Sequence, residues 1–463
     1  MTVRARIAQR WLAALACSAL AFGSGAATAQ TLEDALAQAY STNPTIAAQR
    51  AAVRAADERV AQELSGYRPT AQATVGVTAN RTNSHFRGGA DASATSTPKS
   101  VGVTLNQPLY DATVSPGVRR SEKLVEAQRA QLLNIEQQVL LNAAVAYMDV
   151  VQNQAVLTLS TNNEQVLRRQ LEAARDRFRV GEYTRTDVSL SESRLALSIA
   201  NRISAEGNLQ NARAAYERIV GTKPGANLKA PKPTFKLPAT LDDVVEMASA
   251  NNPGVLTAVF NEAAQRDAVD QQFGRLLPSA RVAATGSRTF DAATAAGGSI
   301  PRQDTGSLQA QVVIPLYSAG QPEALVREAK ETANQLRIQI DEARRQVAAS
   351  AVTAWQLLMT ARASIQSYDT QIRAAQIALE GVRQEAQVGS RTVLDVLNQE
   401  QELLNARVNL VRAQREEMVA AFQLLAAIGQ MTAQQMRLPV QYYDTEKHYR
   451  NTRDRWFGTS VGE

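Results

Sequence analysis

Asp395 and Asn398 stand three positions apart in the run Gly389-Ser390-Arg391-Thr392-Val393-Leu394-Asp395-Val396-Leu397-Asn398, and in a helix that spacing puts both on one face. A carboxylate and an amide stacked this way attract cations. Several copies gathered around an axis would form the polar ring that sets selectivity in a pore, and mutual repulsion would raise the titration of Asp395. Arg391 precedes Asp395 by four residues, so an intrahelical ion pair is the competing use of the same carboxylate. Other chemistry is sparse. The two histidines, His85 and His448, fall in a loop and near a polar C-terminus, where they read as surface residues and supply neither a metal cluster nor a triad. No phosphate-binding or dinucleotide fingerprint occurs in a strand-to-helix context. A non-enzymatic protein without metal or cofactor is expected.

The elements that position these residues are written twice. Thr31-Leu32-Glu33-Asp34 with Asn43-Pro44 returns as Thr240-Leu241-Asp242-Asp243 with Asn252-Pro253, and Pro108-Leu109-Tyr110 returns as Pro315-Leu316-Tyr317. Val180-Gly181 and Asp187-Val188 answer to Val388-Gly389 and Asp395-Val396, the offset staying close to 208. So long a period is a duplicated assembly and not a solenoid unit. The first repeat spans 30–228, a Pro-rich linker 229–239, the second repeat 240–429 and a C-terminal tail 430–463.

Residues 1–29 read as a secretory signal peptide: Arg4, Arg6 and Arg10 precede the apolar stretch from Trp11 to Phe22, and Ala27-Thr28-Ala29 is a cleavage site. Cys17 is the sole cysteine and follows a poor lipobox, so neither lipidation nor disulfides are expected. Without the three signal arginines the formal charge falls from +6 to +3, and no basic stripe argues for nucleic acid. No run of about 20 apolar residues follows, so a membrane crossing would have to use strands closed into a barrel.

From Ser115 to Val180 and from Gln321 to Val388, helix formers predominate almost without breakers. In the second run Ile340, Ala343, Val347, Ala351, Ala354, Leu358, Ala361, Ile365, Tyr368, Ile372, Ala375, Leu379 and Val382 keep the three-four spacing of coiled-coil packing. Shorter helices from Thr186 to Val220 and Val393 to Ile428 end at Gly221 and Gly429, and opening helices are interrupted by Pro44 and Pro253. Period-two alternation marks strands at about 70–80, 101–106, 279–290 and 306–314, with loops at 81–100 and 291–305. Four strands cannot close a barrel whose minimum is about eight, so several chains must share one. Three copies would supply twelve strands.

The N-terminal Thr-Leu-x-Asp motif with Asn-Pro, Tyr67-Arg68-Pro69 before the first strand, Pro108-Leu109-Tyr110 after the second, and the paired Val-Gly-x-x-Thr-x-x-Asp-Val segments resemble the TolC family of outer-membrane efflux proteins. The resemblance covers nearly the whole mature chain. It implies a mainly α fold with a small transmembrane β part, a duplicated helix-strand-strand-long helix-helix repeat, and a homotrimeric 12-stranded β-barrel continued by a periplasmic α-helical barrel. The linker and tail would form an equatorial region. The implied function is an exit duct across the outer membrane, working with a periplasmic adaptor (membrane fusion) protein and an inner-membrane RND or ABC transporter to export small molecules or proteins.

The resemblance also implies site residues. Val180, Gly181, Val388 and Gly389 form the periplasmic tip where an adaptor docks. Thr186, Asp187 and Arg391 belong to the links that hold the tip closed, while Asp395 and Asn398 occupy the gate and selectivity ring. Two departures from the family pattern stand out: Ala386 replaces a tyrosine that often makes a closing link, and Asn398 replaces a second aspartate. A second class of function, a non-pore periplasmic or surface coiled-coil adhesin, predicts continuous heptads without period-two strands. Substrate, and efflux against secretion, are not written in the sequence.

Overall fold

The computed structural model describes residues 31–85, 87–88, 92–231, 237–293 and 299–461; the expected signal peptide and the middle of the linker, 232–236, lie outside the described residues. The first half contains α1 (Leu32–Thr42), α2 (Pro44–Leu64), β1 (Thr70–Val77), β2 (Asn80–Ser84), β3 (Ala92–Ser96), β4 (Lys99–Tyr110), α3 (Val114–Arg179) and α4 (Arg185–Val220). The second contains α5 (Leu241–Asn251), α6 (Pro253–Gly274), β5 (Ser279–Ala293), β6 (Ser299–Val313), α7 (Gln321–Gln387) and α8 (Val393–Ala427), and α9 (Lys447–Thr452) follows in the tail. No described helix is long and apolar enough to cross a membrane.

The Asn-Pro motifs explain how each half closes on itself. Proline cannot donate to the helix and drives the residue before it into extended backbone, so α1 and α5 must stop there. Asn43 and Asn252, both at φ −67° and ψ 125°, then cap the next helix by accepting from Thr45 and Gly254. Their amide groups donate in turn to the terminal carbonyls of Ile219 at 2.9 Å and Ala427 at 3.0 Å, which finish α4 and α8. One side chain thus satisfies two helix ends.

The helices α3 and α7 pair with α4 and α8 as antiparallel hairpins. Every position of the expected α7 seam is buried or half-buried, with Ala351 and Leu358 wholly so. The main core lies near the middle of the long helices, where Leu140 and Tyr147 of α3, Leu358 of α7 and Phe422 of α8 meet the tail residues Met431 and Leu438. The tail is therefore part of this equatorial core. His448, expected at the surface, is instead buried and sets Nδ1 3.2 Å from Asp57 of α2. Its partner lies 391 positions away, and no local pattern marks it.

Glu136 of α3 is also buried, and its Oε1 accepts the Ala433 backbone N–H at 2.6 Å, fixing the tail to the long helix. Burial pushes its carboxyl above the ordinary 4.5, opposed by the Ala433 hydrogen bond and Arg50. A raised folded value means the native state holds the proton longer, so this group's contribution is greatest below about 4.5 and declines as pH rises through the folded value. Glu136→Gln keeps the acceptor and removes the charge. Its melting temperature should therefore gain on the wild type between acid and neutral pH. Glu136→Ala should instead cost about 1–3 kcal/mol at all pH values, because the Ala433 N–H loses its partner.

The strands form one antiparallel sheet in the order β1-β4-β5-β6, and β2 pairs with β3 in a separate hairpin beyond its end. β1 stops at Val77, short of the expected 80, while the other three strands of the sheet run longer than alternation suggested. β5 continues to Ala293 and β6 starts at Ser299, while the stretch expected as a loop at 81–100 carries β2, β3 and the start of β4. Ladder pairing continues past the apolar band because backbone groups need partners whatever the side chains are. Register places Val75, Val101, Arg288 and Asp304 in one row, and Ala73, Val103, Gly286 and Gly306 in the next. One face thus carries Ala, Val and Leu; the other carries Thr74, Thr104, Thr285 and Ser307. Alternation of apolar with polar faces over strands of this length is the transmembrane β signature.

Candidate functional site

The site is built at the end of the helical hairpins farthest from the sheet. After α3 the chain reverses at Val180-Gly181, where Gly181 takes φ +82° and donates to Phe178 while Glu182 donates back to Arg177. After α7 the same pair of bonds recurs, Gly389 at φ +79° donating to Ala386 and Ser390 to Glu385. This is the Schellman closure, which needs a left-handed residue at its centre and explains why both turns carry glycine. The valines before them point outward, Val180 72% and Val388 81% exposed. Apolar side chains so bare at a helix turn have no packing role within the protomer.

Thr184 and Thr392 open the returning helices with matching capping boxes. Thr184 Oγ1 donates to Asp187 Oδ2 at 2.7 Å, and Thr392 Oγ1 to Asp395 Oδ2 at 2.8 Å, with the backbone bonds reciprocated. In this protomer Asp187 and Asp395 are thus helix-capping groups. The Thr392 hydrogen bonds hold the Asp395 carboxyl below its ordinary 3.8, aided by Arg391. The cap and the expected ring repulsion therefore act on Asp395 in opposite directions. A lowered value gives stability that is present above 3.8 and lost as pH falls through the folded value.

Arg391 forms its ion pair with Glu385 at 2.9 Å, back across the turn, and acts on Asp395 only from beyond ion-pair distance. Among the described residues it makes no ion pair with Asp187, and Thr186 is exposed. Asn398 has a partner that the sequence did not suggest: Arg194 of α4 donates to its Oδ1 at 2.8 Å, joining the first hairpin to the second. Beneath this bond Val393 and Leu397 pack on Leu167 of α3, with Tyr183, Leu190 and Leu195 alongside. The same ion pair closes each hairpin: Arg175 with Glu192 in the first, Arg383 with Glu400 in the second. Ala386 is half-buried against the small α7–α8 core of Leu379 and Val396, so no side chain from that position reaches toward a closing link.

Among the described residues there is no cluster of three or more His, Cys, Asp or Glu able to hold a metal ion. What the arrangement offers at the tip is a mechanical joint, two glycine-reversed hairpins whose ends meet through the Arg194–Asn398 hydrogen bond and a small apolar contact.

A four-stranded sheet with one apolar face, joined to two long helical hairpins, one from each repeat, defines an outer-membrane channel subunit. Residues 35–222 and 244–430 match the family model for outer membrane efflux proteins. The chain belongs to that family, as the sequence resemblance implied. It is 36% identical to the outer membrane efflux protein BepC of Brucella suis biovar 1, over 96% of this chain and 95% of that one. It is 28% identical to the proteases secretion protein PrtF of Dickeya chrysanthemi, over 90% of this chain and 92% of the other. Among solved structures, the Campylobacter jejuni CmeC outer membrane channel superposes with a TM-score of 0.75 at 14% identity, covering 91% of this chain and 89% of CmeC. The protein is accordingly an exit duct of the outer membrane, with its helical part in the periplasm. The adhesin reading is set aside, because it has no use for the strands.

Proposed function

We propose that three copies of this chain close one twelve-stranded barrel and one helical tube, through which a periplasmic adaptor and an inner-membrane RND or ABC transporter discharge their cargo. The observation that carries it is the open sheet: β1 and β6 each have one unpaired edge, and lipid offers those edges no partner. Threefold closure joins β6 of one copy to β1 of the next. Small-molecule efflux is the reading favoured by the likeness to BepC, and the likeness to PrtF makes protein secretion the second. In a gene-deleted host, restored tolerance of toxic compounds would support efflux; restored release of a secreted protease would support the second reading. The particle extracted in mild detergent should have the mass of three chains. A stable, membrane-inserted monomer would refute shared closure.

Val180 and Val388, bare beside their glycines, are proposed as the adaptor's footing. Asp395 is proposed to face the axis in a ring of three, with Asn398 held by Arg194 as part of the latch. In single-channel recordings Asp395→Ala should lower cation preference and block by multivalent cations. Arg194→Ala should raise conductance, since it removes the hydrogen bond that joins the two hairpins at the tip. Unchanged selectivity in correctly assembled Asp395→Ala trimers would reduce that carboxylate to a cap.

A further inference from the structure

The apolar face of the sheet carries one charged cluster that the export function leaves unused. Arg288 of β5 places Nε 2.6 Å from Asp304 Oδ1 on β6, and Arg302 places Nη2 2.5 Å from Asp304 Oδ2. Lys99 of β4 lies in the row of Phe290 and Arg302, and among the described residues it has no ion-pair partner. Three cations against one carboxylate leave an excess of two positive charges. All four groups are on the face of Val75, Val103 and Leu308, at the end remote from the helices. With the helices in the periplasm, that end lies in the outer leaflet.

Next to the cluster, on the same face, Gly286 and Gly306 pair across β5 and β6. A side chain added at either would meet nothing within 4 Å. They lie in a shallow cleft of about 690 Å³, lined also by Val103, Phe290, Arg288 and Asp304. The cleft runs from charge into the apolar band. Charged side chains on a lipid face are tolerated near the interface and gain from anionic headgroups there.

We propose that this cleft binds an outer-leaflet glycolipid bearing two phosphates, one acyl chain lying over Gly286 and Gly306 and the phosphates meeting the Arg288–Arg302 pair and Lys99. Strand spacing of about 4.8 Å sets Lys99 and Arg302 roughly 10 Å apart across β5, a span that suits two phosphates on one headgroup and exceeds the reach of a single one. Asp304 orients both guanidinium groups and leaves each with free donors. The inference rests on the shared-barrel reading, because the apolar face must look into lipid.

Binding to the purified, detergent-extracted protein is measured by native mass spectrometry with diphosphoryl lipid A, monophosphoryl lipid A, phosphatidylglycerol and phosphatidylcholine. The wild type should prefer them in that order. Arg302→Gln should weaken diphosphoryl lipid A about fivefold, and Lys99→Gln should lower it to the level of the monophosphoryl form. Gly286→Val with Gly306→Val should weaken it while leaving the salt dependence unchanged, since they fill the cleft and touch no charge. Arg281→Gln, on the opposite face beside Gln311, should change nothing. Equal binding of phosphatidylglycerol, or wild-type affinity in the Lys99→Gln, Arg302→Gln double variant, would overturn the proposal. A nitroxide at Leu308 in reconstituted bilayers separates the two layers of the argument. Quenching by dissolved oxygen with failed lipid A binding rejects the site alone, whereas quenching by a water-soluble reagent rejects the lipid-facing sheet and the site with it.

Discussion

Val103→Arg should prevent the protein from reaching the outer membrane as a trimer, whereas Thr104→Arg, one residue on, should be assembled. Val103 lies mid-strand on the apolar face, between Ala73 of β1 and Gly286 of β5, and is 55% exposed in the single chain. An arginine costs about 2–4 kcal/mol at the bilayer midplane and about 0–1 at its edges, and Val103, one same-face row inward of Arg288 and Asp304, lies between the two, so about 1–3 kcal/mol is expected. In the proposed trimer that cost recurs in every copy, so the barrel as a whole loses roughly 3–9 kcal/mol, a large share of the stability of an ordinary domain. Thr104 points to the other face with Gln72 and Thr285 beside it in the same row, where water receives a guanidinium at little cost. Heat-resistant trimer on native electrophoresis of membrane fractions checks both variants. Equal assembly of the two would mean that the polar and apolar faces do not divide lumen from lipid.

The largest effect within one chain is expected at Gly429, which ends the second helical hairpin. It sits at φ +79°, and an added Cβ would stand 2.5 Å from the backbone oxygen of Asn251, at the end of α5. Neither partner is a flexible side chain. Left-handed backbone costs a non-glycine residue about 1–2 kcal/mol, and overpacking against fixed atoms adds about 1–3, so Gly429→Ala should cost roughly 3 kcal/mol. Gly221 is its counterpart in the first half at φ +87°, but there the nearest atom is Thr42 Oγ1 at 3.1 Å, which can rotate. Gly221→Ala should lose only about the backbone share, 1–2 kcal/mol. Denaturant unfolding of the two variants should separate them; equal losses would remove the steric part of the argument.

The helical frame could be read from the sequence because its signals are local and repeated. Proline after asparagine stops α1 and α5, glycine ends α4 and α8, and the three-four spacing of α7 extends over the whole buried seam. The inner parts of the four strands were legible from period-two alternation. Their outer parts were not, since Arg288, Arg302 and Asp304 interrupt the apolar series, and β2 and β3 are built from Asn, Arg, Thr, Ser and Ala without contrast between faces. At the tip, Asp187 and Asp395 were marked by the repeat and Arg391 and Asn398 by the family resemblance, but their partners were not. Thr184 and Thr392 could have been found as capping boxes from the Thr-x-x-Asp spacing. Arg194 could not, because an arginine on a helix surface reads as solvated until a fold brings Asn398, 204 positions on, beside it.

The two tip turns share a backbone closure and an exposed valine, yet the next residue is Glu182 in one and Ser390 in the other. Around the proposed threefold axis this would produce six sites of nearly the same shape whose charge alternates. A docking partner that reads only shape would count six places and bind in sixes; one that reads charge would count three. The measured stoichiometry of the bound ring would then report which property the partner recognises, and exchanging Glu182 with Ser390 should leave a six-fold count intact while rotating a three-fold one by a sixth of a turn.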